Sequence, residues 1–567
     1  MTNGYEFLVD GLRSLGVTLY AGVNGGGVIH LANLLNPVRD TRNPPAGTPR
    51  MFTVPEYVAG YVPLGHYIAT GRPAACLTTT GAATKLAASG LSDAKLHNIP
   101  AVYIAALNAT TTYGRSPLQD VSDEGANMAA QLEAELGSAF LHVEDLKDLP
   151  RQFTALRDHL RASRPVALAF HPDLLHEAPP IGPVEAEPVE DLPAGDDLAG
   201  RFRSEAAGRR VVILVTDEAA RSSDMPALTT DLAEALGAPV VWTVNGAAGT
   251  EAINPFGYGH IGFGGNDAAT ALWSSLGERD VLLTLGFEPG EYILNLADIP
   301  AGHVFHLTDQ PTPYGHRDGG FAHRCRGRYH RFTGPLPSAV RSLLPTRGTL
   351  RQPYAPADLN IERATDSLLP GRVDFAEFLR RTHNAWRRPA IGFDDVSTAY
   401  KDRQYVTQRP HPLMRAFSAY QGSAMGGAFG MALGAKLAAP DRTVACFTGD
   451  GCFRFFAGAL ADTAELGLRL FVVNNASYAI VEQGLRHILA PGGHHHSALA
   501  PLNHVPVAHA MGWDGVRVDA DLANLDDIME LCQSDSTRSL LIEVPVDPAQ
   551  ELGPNPRLRN LLGRTYL

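Results

Sequence analysis

Residues 443–475 read TVACFTGDGCFRFFAGALADTAELGLRLFVVNN. The stretch opens on a short apolar run, Val444 to Phe447, of a length suited to a buried strand, and runs into Gly449-Asp450-Gly451. Phe455, Phe456, Leu460, Thr463, Ala464 and Leu466 then recur at three-to-four spacing, which predicts a helix. A second apolar run, Leu470 to Val473, closes on Asn474-Asn475, with 22 residues (452–473) between the two motifs. Strand, helix and strand form a βαβ unit, whose right-handed crossover sets the carboxyl ends of two parallel strands side by side. Asp450 and Asn475 fall at those ends, where open α/β sheets bind ligands. A carboxylate oxygen, an amide oxygen and a backbone carbonyl such as that of Ser477 make a hard-oxygen set suited to Mg2+ carrying a diphosphate. Gly449 and Gly451 let the backbone approach phosphate oxygens closely. Either motif alone is equally a turn after a strand; their pairing on one frame carries the reading.

The rest of the chain sets bounds. Its 567 residues are enough for roughly three to four domains. Hydrophobic content of 45% and charged content of 19% describe an ordinary globular protein. A formal charge of −13 argues against nucleic acid as a main partner. No apolar run is long enough to span a membrane, and MTNGYEFLVDGL lacks the basic and apolar regions of a signal peptide. Five cysteines (Cys76, Cys325, Cys446, Cys452, Cys532) without CxxC spacing read as reduced thiols of a cytoplasmic protein.

Three segments repeat the α/β theme. Residues 1–180 alternate apolar runs (VTLYAGV, AACLTTT, AVYIAAL) with helical stretches. Residues 174–198, rich in Pro, Glu and Ala, read as a linker. Residues 190–345 carry RVVILVTD, APVVWTV and DVLLTLG as core strands, and a second linker, 346–370, holds Pro353, Pro356 and Pro370. Residues 365–550 form the third segment, ending in SLLIEVPV, and 551–567 make a C-terminal tail free to pack over a site or a neighbouring copy. The fold class expected is α/β, with three doubly wound parallel-sheet domains.

On its paired motifs the sequence resembles the thiamine-diphosphate (ThDP) enzymes of the acetolactate synthase, pyruvate decarboxylase and benzoylformate decarboxylase superfamily, over nearly the whole chain. The resemblance implies a pyrimidine-binding domain (1–180), a middle domain (190–345) and a diphosphate-binding domain (365–550). It also implies that Asp450, Asn475 and the Ser477 carbonyl hold Mg2+, with Gly449, Gly451, Cys452 and Tyr478 lining the diphosphate. The spacer is slightly shorter than is usual in the family, which suggests a tightened loop. A glutamate that hydrogen-bonds the pyrimidine and favours its imino tautomer is implied at Glu56, within RMFTVPEYVAGYVPLGHYIATGRPA. Its apolar neighbours Val54, Pro55, Tyr57 and Val58 would bury it and raise its pKa. Met425, in QGSAMGGAFGMALGAK, aligns with the apolar residue that bends the cofactor. Gly422, Gly426 and Gly427 suit a backbone passing close to the pyrimidine, and Ser397 aligns as a phosphate ligand. Where relatives have Gly-Pro-Gly-x-x-Asn, this chain has Thr80-Gly81-Ala82-Ala83-Thr84-Lys85; Lys85 reads as a surface lysine or as a cation for an acidic substrate.

Substrate-side residues depart from the simple decarboxylases. Asn24-Gly25-Gly26-Gly27 holds no acid, and AALNATTTYGRSPLQD holds no histidine pair. Gln119-Asp120 instead resembles the Phe-Gln-Glu stretch of the carboligases, where Gln119 would bond an enolate or acceptor carbonyl; equally, it caps the next helix. Glu482 follows the metal loop one position from where decarboxylases place a catalytic acid. His494, His495 and His496 read as a solvated loop or as an acid–base or carboxylate-holding group. NPFGYGHIGFGGNDAA is like a middle-domain stretch that holds FAD or ADP in some members and is an empty scaffold in others. The function implied is decarboxylation of a 2-oxo acid with transfer of the acyl-anion equivalent to a carbonyl acceptor. Simple decarboxylation or C–C hydrolysis are the alternatives, and a silent regulatory subunit is the rival outside the enzymes. The family also implies a homodimer at least, and commonly a tetramer.

Overall fold

Three parallel sheets organise the chain, in a computed structural model that describes residues 3–38, 47–179, 198–286, 288, 290–314, 320–344, 355–361 and 368–564. In spatial order the first sheet runs Asn36–Pro37, Arg50–Thr53, Leu19–Gly22, Ala75–Thr78, Val102–Ala106, Val166–Phe170, Phe140–Val143. The second runs Gly257–His260, Val240–Trp242, Arg210–Val215, Asp280–Leu285, His303–Thr308, Arg328–Thr333. The third runs Met414–Phe417, Ala390–Asp394, Thr443–Gly449, Leu468–Asn474, Leu540–Pro545, Asp514–Arg517. Inner strands such as Ala75–Thr78, Asp280–Leu285 and Leu540–Pro545 are buried along their whole length, because helices cover both faces. The runs VTLYAGV, AACLTTT, RVVILVTD, DVLLTLG and SLLIEVPV thus all contain strands, as their composition predicts. The linker expected at 174–198 lies largely, and that at 346–370 in part, outside the described residues.

The fold divides into two compact units. One comprises Met1–Val189 with Gly422–Asp441 and Phe456–Leu466; the other comprises Glu190–Gln421, Arg442–Phe455 and Gly467–Leu567. In the first, the helix Glu56–Thr70 packs against Ala82–Leu96 and against Gly427–Ala438. Glycines set the approach. A Cβ on Gly65 would stand 1.7 Å from the Met431 carbonyl oxygen, and one on Gly434 would stand 2.0 Å from that of Val62. The first helix meets Ala82–Leu96 in the same way, through Gly60 and Gly90.

One element differs from expectation. The segment after Asp450 is not a continuous α-helix but a single turn, Asp450–Phe453, followed by a 3-10 helix, Ala457–Thr463. Phe453, Phe456, Ala459, Leu460 and Thr463 are buried while Phe455 is half exposed, so the buried positions recur mostly every third residue. That is the period of a 3-10 helix, and the sequence periodicity was compatible with either. Phe456 stacks on Phe429 at 4.3 Å between ring centroids.

The tail is part of the second unit. Gly553 accepts from Lys401 Nζ at 2.9 Å and donates to Asp402 Oδ1 at 2.9 Å. The final helix, Leu558–Arg564, is held where Asn560 donates to Glu291 at 3.2 Å and to Asn295 Oδ1 at 2.9 Å. The described cysteines are all free thiols, and no described helix is long and apolar enough to cross a membrane.

The glycine contacts yield a prediction. Gly65→Val should lower unfolding stability by about 3 kcal/mol or more, because the backbone carbonyl of Met431 cannot yield as a side chain would. A urea midpoint equal to that of the parent protein would disprove this account of the helix crossing.

Candidate active site

In the third sheet Thr443–Gly449 lies between Ala390–Asp394 and Leu468–Asn474, with Gly449 in register with Val473. The strand order reverses beside Ala390–Asp394, so a topological switch point opens between that strand and Thr443–Gly449. Three loops therefore leave neighbouring carboxyl ends: Asp395–Ser397, Asp450–Cys452 and Asn475–Ser477. The structure brings together the residues expected around Mg-diphosphate in this one edge.

Side chains cross-link the loops. Thr448 donates to Asp395 Oδ2 at 2.7 Å, and the Cys452 thiol donates to the Val396 carbonyl at 3.2 Å. Ser397 caps the helix Thr398–Thr407, its hydroxyl accepting from the Ala399 amide at 3.2 Å, and a Cβ on Gly449 would lie 3.3 Å from its own Cβ. Gly451 lies beneath the Tyr478 ring, 2.5 Å from where a Cβ would be, so a larger residue here would displace Tyr478.

Asp450 is buried, and burial pushes its carboxyl up to about 6, against the opposing pull of the Ala476 and Gly451 amides and of Arg454. A rise of that size is about 3 kcal/mol against the ionised form. Among the described residues no basic side chain forms an ion pair with it. Asn475 is also buried, and its Oδ1 accepts from the Ser477 amide at 3.1 Å, folding the loop back on itself; Ala476 takes a left-handed φ of 53°. Asn474 points the other way and donates to the fully buried Glu543 at 2.7 Å. A buried carboxylate without a cation, next to a buried amide, is a donor set that a divalent hard cation completes. The residues present fit Mg2+.

The loop bearing the three histidines pairs with the Asn475 loop. Tyr478 donates to the Ser497 carbonyl at 2.8 Å, and Leu499 donates to that of Ala476 at 2.8 Å. Glu482 is not free: its carboxylate accepts from Ser497, from His495 Nδ1 at 3.0 Å and from Arg486 at 3.0 Å. Those bonds, Ser497 first, hold its pKa down to about 2. In this state Glu482 is an acceptor that fastens the loop. His494 and His496 are exposed, and neither belongs to a described cluster with metal-ligand geometry.

The pyrimidine-side candidates lie in the first unit. Glu56 opens its helix just beyond the strand Arg50–Thr53 and is partly exposed, less enclosed than its apolar neighbours led one to expect: Val54 and Val58 are buried but Pro55 is not. The hydroxyl of the next residue, Tyr57, donates to the Met425 carbonyl. The glycines near Met425 have packing reasons. Gly422 donates to Asp93 at 2.9 Å, Asp93 accepts Tyr61 at 3.0 Å, and a Cβ on Gly427 would stand 2.6 Å from the Tyr61 ring. Lys85 is exposed on its helix.

Gln119 sits over Gly81 in a left-handed conformation, φ 56°, uncommon for a non-glycine residue. Asn108 brackets it, donating to the Leu118 carbonyl at 3.3 Å and accepting from the Val121 amide at 2.8 Å. The Asn108 carbonyl accepts from His171 Nδ1 at 2.7 Å, and His171 Nε2 meets His142 Nε2 at 3.1 Å. With Nδ1 donating, a neutral His171 accepts at Nε2 and His142 donates. Sequence reading missed Asn108, His142, His171, Asp93 and Glu543. Asn108, His142, His171 and Glu543 share one signal, a polar residue just beyond or within an apolar run; Asp93, inside the helix Ala82–Leu96, does not.

In the middle sheet the glycines of NPFGYGHIGFGG are likewise filled by protein. Positive φ occurs at Gly259, Gly262 and Gly264, and a Cβ on each would meet Asn266 at 2.4 Å, the Tyr292 carbonyl at 2.0 Å and the Lys401 carbonyl at 2.4 Å. Close packing accounts for them without a nucleotide.

Comparison with known proteins fits this geometry. Residues 2–127 match the family described as thiamine pyrophosphate enzyme, N-terminal TPP binding domain, and residues 399–544 match its C-terminal TPP binding domain. The chain is 24% identical over 490 residues to the acetolactate synthase isozyme 2 large subunit of Escherichia coli (strain K12), covering 85% of this chain and 84% of that protein. It is 24% identical over 592 residues to the acetolactate synthase of Mycobacterium avium, covering 97% and 88%. The thiamine diphosphate-dependent 4-hydroxybenzoylformate decarboxylase of Rhodococcus jostii RHA1 shares the fold, with a TM-score of 0.75 at 20% identity over 96% of this chain and 99% of that one. With a cofactor-binding domain matched on either side of the middle segment, and this fold throughout, the chain belongs to the superfamily of thiamine-diphosphate-dependent enzymes.

Proposed function

We propose that the protein decarboxylates a 2-oxo acid and joins the resulting acyl unit to a carbonyl acceptor, as a carboligase of the acetolactate synthase kind. Bound thiamine diphosphate supplies a nucleophilic carbon and an electron sink for loss of CO2. Mg2+ would be held by Asp450, Asn475 and the Ser477 carbonyl. The diphosphate side would be completed by Ser397, Gly449, Gly451, Cys452 and Tyr478, within residues 365–550. Residues 1–180 would hold the pyrimidine end through Glu56, which would keep a proton at the ring nitrogen, and Met425, within residues 365–550, would support the ring. Two copies of the chain would contribute the two ends, making a homodimer the smallest active form.

The observation that carries carboligation is Gln119. Its backbone is strained, and the Asn108 bracket over-determines it, which is the pattern of a residue held in place for a task. Its amide offers a donor to an acceptor carbonyl at the carboxyl edge of the first sheet. Simple decarboxylation is the second reading, favoured by the His142–His171 pair at the same edge. His171 is buried and already bonded to Asn108, which leaves it poorly placed to relay a proton to substrate. Incubation with thiamine diphosphate, Mg2+ and a panel of 2-oxo acids, with and without aldehyde or 2-oxo acid acceptors, separates the two. A carbon–carbon bonded product supports carboligation; aldehyde as sole product in every pairing refutes it.

Four outcomes are expected. Gln119→Ala should cut the ratio of ligated product to aldehyde about tenfold or more while cofactor affinity stays unchanged; an unchanged ratio removes Gln119 from the reaction. Glu56→Gln should lower kcat about a hundredfold or more with the cofactor still bound, and slow exchange of the cofactor's C2 proton measured by NMR. Unaltered exchange assigns that task elsewhere. Asp450→Ala should abolish Mg2+-dependent cofactor retention in calorimetry. In the parent protein retention should weaken below about pH 6, because a carboxyl with a raised folded value takes up its proton there and the metal must displace it. Retention that is flat from pH 8 to pH 5 would contradict that sign.

A further inference from the structure

Three side chains outside the site described above meet at the edge of the middle sheet. His303 begins the strand His303–Thr308, and His330 lies in the edge strand Arg328–Thr333. The register pairs His303 with Arg328 and Phe305 with His330. Side chains alternate along each strand, so His303, Phe305, Arg328 and His330 share one face, with the two histidines diagonal neighbours. The helix Leu198–Ala206 covers that face. Phe202 meets Phe305 edge-on at 5.2 Å, and Glu205, three residues further on the same helical side, is carried over the histidines.

We propose that Glu205, His303 and His330 form a site for one Zn2+-like transition-metal ion, which fastens the helix Leu198–Ala206 to the sheet.

One ligand atom from each residue lies within 4.8 Å of those of the other two. His303 Nδ1 and His330 Nε2 stand 3.4 Å apart, and the Glu205 carboxylate is 3.4 Å from His303 Nε2. Two nitrogens bound tetrahedrally to zinc at about 2.0–2.1 Å are separated by about 3.4 Å. The histidine spacing therefore already suits an ion on the Nδ1 side of His303, and Glu205, which now faces Nε2 of that ring, swings to the Nδ1 side to join. Two imidazoles and one carboxylate are a borderline-soft donor set that selects zinc and its neighbours over Mg2+, leaving a position for water. Phe305 stacks on His330 at 4.5 Å and limits its ring's freedom, which pre-orders the ligand. Opposing charge is modest. Arg328 reaches Glu205 only at 3.6 Å from a side chain that is 74% exposed, and Arg201 and Arg209 act from a distance through solvent.

The test uses the full chain saturated with thiamine diphosphate and Mg2+, so that the active site is already occupied, and titrates it with Zn2+ in a calorimeter and in thermal melts. The parent protein is expected to take up one Zn2+ per chain at this site and to melt several degrees higher. His330→Gln and Glu205→Gln should each weaken that uptake more than about tenfold and lose the rise. Both positions are partly exposed, so both variants should fold, and if one does not, the other decides. Absence of zinc uptake, or uptake and melting shift unchanged in the variants (as for an ion held by the exposed His494 and His496), would overturn the assignment.

Discussion

A carboxylate buried at the end of a parallel strand is the constraint on which the candidate site depends. Asp450 is removed from water by the fold itself, and the backbone amides of Ala476, Gly451 and Asp450 itself, with Arg454, only partly compensate it. Leaving such a group ionised without a cation is costly, and protonating it discards the charge for which the position is suited. A divalent cation would resolve the conflict, and the same cation is what a diphosphate needs. The loops around Asp450 are held by contacts of their own. Asn475 turns back on Ser477, Gly451 makes room for Tyr478, and the loop at 497–499 pairs with the backbone at 476–478.

The two compact units are built by different means. In the second, neighbouring strand ends are stitched by short polar contacts, Thr448 to Asp395 and Cys452 to Val396, and Glu543 holds Asn474 away from the ligand side. In the first, helices touch backbone to backbone through glycines, and Tyr57 ties the start of the Glu56 helix to Met425. The first construction fixes donor atoms relative to each other; the second fixes where a helix begins. In both, close packing of side chains leaves few alternative arrangements.

Much of the architecture was legible because parallel strands buried on both faces need unbroken apolar runs, and helices between them show a different period. The Gly449-Asp450-Gly451 and Asn474-Asn475 pair was legible for a related reason: a βαβ crossover fixes where two strand ends meet, so spacing along the chain stands in for distance. The 3-10 helix Ala457–Thr463 was misread as α because buried residues three or four apart satisfy both periods over so short a stretch. The partners of Glu482 were not legible, since nothing local reveals that Ser497 and His495, on a later loop, converge on its carboxylate. The glycines of the middle segment carry no nucleotide signal that packing does not already explain.

Sequence alone determined the residue types, their offsets within each βαβ unit and hence that Asp450 and Asn475 stand at neighbouring strand ends, because those depend on contacts short in chain distance. Only the tertiary structure decided which groups support them: Asn108 around Gln119, Glu543 on Asn474, Asp93 beneath Gly422, and Glu205 over His303 and His330. These partners come from different elements, often far apart in the chain. Their meeting depends on strand order, register and helix packing, which are properties of the whole folded core and are written in no single stretch of residues.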